Sequence, residues 1–118
     1  MEAGLSGGVR IWLAFEPVDM RLSFDGLAGK VAHALGRDPY SGECFVFRSR
    51  SGSRLKMLVW DGLGFWLHYR RLEQATFVWP QVNERGVIEL SHAQFGVLTQ
   101  GLDWRRVHVP ARLSVSVT

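Results

Sequence analysis

Residues 45–80 read FVFRSRSGSRLKMLVWDGLGFWLHYRRLEQATFVWP, and hydrophobic and polar positions alternate along much of this stretch. Phe45, Phe47, Leu55, Met57 and Val59 share one parity, while Val46, Arg48, Arg50, Arg54, Lys56 and Leu58 share the other. A period of two marks strands whose successive side chains point to opposite faces. With Ser51-Gly52-Ser53 as the hairpin loop, Phe47 lies opposite Met57 and Phe45 opposite Val59. That register predicts an apolar face of Phe45, Phe47, Leu55, Met57 and Val59 against a helix. It gathers Arg48, Arg50, Arg54 and Lys56 on the other face. Asp61-Gly62 signals the next hairpin turn, into a strand over residues 65–71. Carried through that turn, the register adds Tyr69 and Arg71 to the basic face.

The flanking segments supply the remaining elements. Residues 9–15 (VRIWLAF) predict a strand that stops at Glu16-Pro17, because proline lacks the ladder donor. Phe24, Leu27, Ala28, Val31 and Leu35 then recur at helical spacing, with Ser23 as the cap and Gly36 as the stop. Gly26 and Gly29 inside that helix cost about 1 kcal/mol each relative to Ala, which implies close packing or a weak helix. Residues 37–43 form a turn-rich connector. Short strands are expected over residues 76–79, before Pro80, and over residues 87–90. Ser91 and Gln94 form a capping box opening a second helix over residues 91–100, with Phe95 and Leu98 inward and Gly101 at its end. The reading is α+β: one domain over residues 9–106, a mainly antiparallel strand meander packed against one or two helices. Residues 1–8 read as a flexible tail and residues 107–118 as a C-terminal strand or tail.

Composition narrows the function. A chain of 118 residues with 47% hydrophobic and 21% charged positions suits one folded domain rather than a disordered one. The net charge is +3, the sequence pI is about 9.6, and only Lys30 and Lys56 among the basic residues are not Arg. Arg suits phosphate and stacks on rings, although a GC-rich genome yields the same bias. The lone Cys44 excludes a disulfide framework and a Cys-based zinc site, and reads as a buried thiol. The apolar run at residues 11–15 is too short for a signal sequence or a membrane span, so a cytoplasmic protein without membrane contact is expected.

His33, His68, His92 and His108 lack metal-ligand spacing, and no phosphate-loop, dinucleotide or nucleophile-elbow motif is present. The expectation is therefore no enzyme, no metal and no cofactor. The candidate nucleic-acid-binding residues are Arg48, Arg50, Arg54, Lys56, Tyr69 and Arg71: cations for phosphates, with a ring on which a base can stack. An ordinary solvated face, or one covered by a protein partner, fits the same pattern. Exposure of Trp66 or Trp79 would favour protein contact, because Trp anchors interfaces.

Several ordered motifs carry a family resemblance. They are Asp19-Met20-Arg21 with Asp25-Gly26-Leu27-Ala28, the GRDP-x-SG connector at residues 36–42, FVFR at residues 45–48, Trp60-Asp61-Gly62, Arg71-Leu72-Glu73 and FVWP at residues 77–80. Together, over residues 9–104, the chain resembles the small TnpB-type accessory protein of a bacterial transposon family, the insertion-sequence-sixty-six group. The resemblance implies a protein encoded beside a separate transposase and needed for efficient transposition without catalysing strand transfer. The expected partners are DNA, the transposase and other transposon-encoded proteins, with a homo-oligomer left open. The alternatives are a protein-interaction module that does not touch nucleic acid, and a metal-dependent nuclease using Asp19, Asp25 or Asp61.

Overall fold

The computed structural model describes residues 8–79 and 86–107. Apart from residues 8 and 107, the expected N-terminal and C-terminal tails lie outside the described residues. β1 (Ile11–Ala14) is followed by α1 (Phe24–Gly29), which widens into a π-helical turn over Lys30–Ala34. β2 (Cys44–Arg48), β3 (Arg54–Trp60) and β4 (Phe65–Arg71) form the meander. β5 (Val87–Leu90), α2 (His92–Thr99) and a 3-10 turn over Trp104–Arg106 complete the fold. The sheet runs β4-β3-β2-β1-β5. Among the described residues its one parallel pair, β1 with β2, is joined by the crossover that carries α1, as a parallel connection requires. The other pairs are antiparallel. The fold is α+β, as the pattern of elements predicted.

Both faces of the sheet are covered. On one, Trp12, Ala14, Phe45, Phe47 and Leu58 pack with Leu27 and Val31 of the first helix. On the other, Ile11, Leu13, Cys44, Val46, Leu55, Met57 and Val59 pack with Leu98, Trp104, Phe77 and Trp79. Residues 77–79 are not the strand expected there. They cross that face as irregular chain, fixed by Phe77 N–H donating to the Gly52 carbonyl (2.8 Å) and Trp79 Nε1 donating to that of Ala14 (3.0 Å).

The hairpin register differs from the expected one by a residue. Phe47 pairs with Lys56, Phe45 with Leu58 and Val46 with Met57. Ser49 N–H bonds the Arg54 carbonyl at 2.9 Å, so the loop comprises residues 50–53 rather than 51–53. A slip of one residue sends a strand's side chains to the opposite face of its partner's. Phe45 and Phe47 therefore face α1 as expected, whereas Leu55, Met57 and Val59 face α2. Central strands buried on both sides read as continuous apolar runs, and such runs do not fix register.

The capping box forms as expected: Ser91 Oγ accepts from Gln94 N–H at 3.0 Å, and Gln94 Oε1 accepts from Ser91 N–H at 2.9 Å. Ser23 supplies no side-chain cap, and Phe24 is exposed instead of inward. A Cβ at Gly26 would lie 2.6 Å from a Leu22 methyl, so this glycine marks a close approach, whereas Gly29 borders open space.

Candidate nucleic-acid interface

The loop of the β2–β3 hairpin reads Ser49-Arg50-Ser51-Gly52-Ser53-Arg54. Gly52 adopts φ +82°, a left-handed conformation that glycine enters without a Cβ penalty. Its tight turn draws three hydroxyls together, with Ser49 Oγ 3.1 Å from Ser51 Oγ and Ser51 Oγ 3.0 Å from Ser53 Oγ. Ser49 Oγ also accepts from Arg54 N–H at 3.1 Å. Facing the loop across a cleft of about 420 Å³ is the Pro17–Met20 segment, and Arg50 and Arg54 line the same cleft. Arg50 is exposed, and its guanidinium has no hydrogen bond or ion pair among the described residues.

Arg54 joins this cleft to a neighbouring one of about 290 Å³, lined by Arg54, Tyr69, Arg71 and Glu73. Arg54 stands opposite Arg71 in the β3–β4 ladder, and Lys56 stands opposite Tyr69. Arg54 Nη1 donates to the Tyr69 hydroxyl at 3.4 Å, and Arg71 Nε donates to Glu73 at 3.0 Å. The Tyr69 ring is about half exposed and available for stacking.

Of the six residues expected on one basic face, Arg54, Lys56, Tyr69 and Arg71 share a sheet face, and Arg50 lies on the adjoining loop. Arg48 does not belong with them. It keeps its expected place on the face away from α1, where its Nε donates to the Phe15 carbonyl at 3.2 Å and its guanidinium lies 5.7 Å from the Trp79 ring centre. The register slip instead carries the other four to the α1 face. Burial pulls its pKa down, but guanidinium stays charged at any ordinary pH. Lys56 shares the face of Arg54 and Tyr69 but is buried. Its Nζ donates to the Met20 carbonyl at 2.8 Å and the Leu22 carbonyl at 2.7 Å, with the Tyr69 ring 4.9 Å away.

Two carboxylates temper the positive charge. Arg71 is paired with Glu73. Asp19 accepts from Arg21 through side chain and backbone, and the Arg21 side chain is the main reason its pKa falls to about 2. The hydroxyl triplet was the part of the site that sequence reasoning missed. Its signal was the alternation of Ser with Arg and Gly through the loop.

Two of the three acidic candidates for nuclease chemistry, Asp19 and Asp61, have local roles. Asp61 closes the β3–β4 turn by accepting from the Leu63 and Gly64 N–H groups and from Trp66 Nε1, and these bonds, the backbone ones foremost, hold its pKa down. Among the described residues, no three of His, Cys, Asp and Glu converge as a metal site. Cys44 is fully buried, and desolvation pushes its thiol pKa up. No helix among the described residues is long and apolar enough to cross a membrane. Of the two tryptophans that test for a protein contact, Trp79 is buried and Trp66 is 52% exposed.

Comparison with known proteins adds the biological setting. The chain is 43% identical over 104 residues to the uncharacterized protein y4jC of Sinorhizobium fredii (strain NBRC 101917 / NGR234), covering 88% of each. It is 46% identical over 97 residues to the uncharacterized protein y4hO of the same organism, covering 82% of this chain and 84% of that one. No solved structure matches it. The model of the IS66 Orf2 like protein family matches residues 9–109, nearly the whole domain. The chain therefore belongs to the IS66 Orf2-like family, whose members are accessory to the transposition of an insertion sequence.

Proposed function

We propose that this protein is a non-catalytic accessory factor of transposition that grips DNA phosphates at the β2–β3 hairpin end and assists a separate transposase. Arg50, Arg54 and Arg71 meet phosphate oxygens, the loop hydroxyls add neutral donors, and Tyr69 offers a ring to an unpaired base. Arg48 and Lys56 act behind them by holding the chain segments that frame the cleft. The observation that carries this reading is the exposed, unpaired guanidinium of Arg50 beside Arg54 at the rim of a hydroxyl-lined cleft. No cofactor or metal is needed for such a role. DNA of a mobile element is met in the bacterial cytoplasm, so that is where the protein works.

The test is a titration of labelled duplex and single-stranded DNA at several salt concentrations. Each phosphate neutralised contributes about −0.9 to the slope of log K against log salt for duplex DNA. Replacing both Arg50 and Arg54 with Ala should make that slope shallower by about 2 while leaving the fold intact. Absence of binding by the unaltered protein at low salt would eliminate the DNA half of the proposal.

A second reading has its own support in Trp66 and in Leu63, which is 94% exposed beside it at the β3–β4 turn. A module that contacts only the transposase would form that complex without DNA, and Arg50→Ala with Arg54→Ala would leave the complex unchanged.

A further inference from the structure

Among the described residues the sheet ends at β4 in an open edge, and that edge is regular. All seven residues of Phe65–Arg71 pair without interruption with β3, and the strand contains no proline. The direction of its backbone groups follows from the bonds at either end of the ladder. Asp61 N–H bonds the Gly64 carbonyl at 3.0 Å, and Leu72 N–H bonds that of Ser53 at 2.9 Å. Hydrogen-bonded and non-hydrogen-bonded pairs alternate in an antiparallel ladder. Trp66, His68 and Arg70 therefore bond inward to β3, while Phe65, Leu67, Tyr69 and Arg71 turn their N–H and C=O groups outward. Such an edge is a template for another strand.

The sequence of the edge shows which strand fits it. Antiparallel pairing about a two-fold axis keeps opposed side chains on the same face, so the axis must pass through a residue. Only an axis at His68 pairs the full length of β4. Phe65 then meets Arg71 of the other copy, Trp66 meets Arg70, Leu67 meets Tyr69, and His68 meets itself. Every Arg faces an aromatic ring, an attractive arrangement, and no two Arg residues oppose one another. Moving the axis to residue 69 would bring His68 against Arg70 and Leu67 against Arg71, and would leave Phe65 unpaired.

The side chains are already disposed for this partner. Trp66 is half exposed, held by its bond to Asp61 at 2.8 Å and stacked on His68 with ring centres 6.0 Å apart. Arg70 Nε donates to the Thr99 carbonyl at 2.6 Å, which fixes its stem on the same face. His68 Nε2 is buried with no hydrogen-bond partner among the described residues, and it would lie beside the axis.

We infer that two copies of this chain associate through β4, antiparallel about His68, to form one continuous ten-stranded sheet. Sedimentation velocity on the full chain, from about 1 to about 100 µM, should reveal a monomer–dimer equilibrium. A protein that stays monomeric throughout overturns the inference. A covalent probe reads the register. In the proposed pairing the two residues at position 68 form a non-hydrogen-bonded pair with Cα atoms about 4.5 Å apart, within disulfide range. The two residues at position 66 are at least roughly 13 Å apart. Under mild oxidation His68→Cys should become a disulfide-linked dimer, Trp66→Cys should not, and buried Cys44 should stay reduced. Equal cross-linking of the two variants, or cross-linking of Trp66→Cys alone, overturns the register.

Discussion

Lys56 lies on β3 among arginines that face solvent, yet its ammonium is spent inside the protein on the carbonyls of Met20 and Leu22. Those bonds tie the chain leading into α1 to the sheet. Hydrogen bonds to a charged donor contribute about 1.5–3 kcal/mol each, more than a solvent-exposed ion pair does. Lys56→Met keeps the apolar stem and deletes both donors, so urea denaturation should show a loss of about 2–4 kcal/mol. Arg54→Ala, one turn of the pleat away and exposed, should lose less than about 1 kcal/mol. Equal losses would mean that Lys56 is no more than a surface cation. Residue type alone could not separate these two positions. The sequence placed both on one parity, and only the arrival of the Met20–Leu22 segment over β3 makes one of them internal.

At the scale of elements, legibility followed how local the determinant was. The capping box needs only Ser91 and Gln94, three residues apart, and the β3–β4 turn needs only Asp61 and Gly62, so both were readable. The register of the β2–β3 hairpin depends on whether the loop holds three residues or four, and burial on both faces removed the contrast that would have decided it. Val46 and Leu58 looked like exceptions on a polar face, but each belongs to a core of its own. The same slip separated Arg48 from Arg54 and reduced the expected basic face to a basic corner. It left Phe47 where the pattern put it, 1% exposed and packed with the first helix. Phe47→Ala should therefore open a cavity beneath α1 and lower stability by about 3–5 kcal/mol in a denaturant melt. A loss below about 1 kcal/mol would show that α1 collapses readily onto the sheet and is held chiefly by its ends.

Among the described residues the sheet carries a roof on each side, so neither face is wholly bare as a platform for a polyanion. What stays open, among the described residues, is the hairpin end, with Arg50, Arg54 and Arg71, and the β4 edge, with Trp66 and Tyr69. Pairing at His68 links these two features. It leaves corresponding faces of the two copies on the same side and sets each Arg71 six residues along the ladder from its counterpart, about 20 Å away. That distance matches roughly six steps of 3.4 Å along one DNA strand, so two corners can reach one duplex. Once the first corner is bound, the second binds intramolecularly and gains the advantage of a high effective concentration. Oxidised His68→Cys, locked as the dimer, should bind a long duplex at least about tenfold more tightly than the reduced protein held below its association concentration. Its slope of log K against log salt should be about twice as steep, because twice as many phosphates are neutralised. Tighter binding with an unchanged slope would mean that one corner carries all the phosphate contacts. Equal affinity and equal slope would mean that the two corners cannot reach the same duplex.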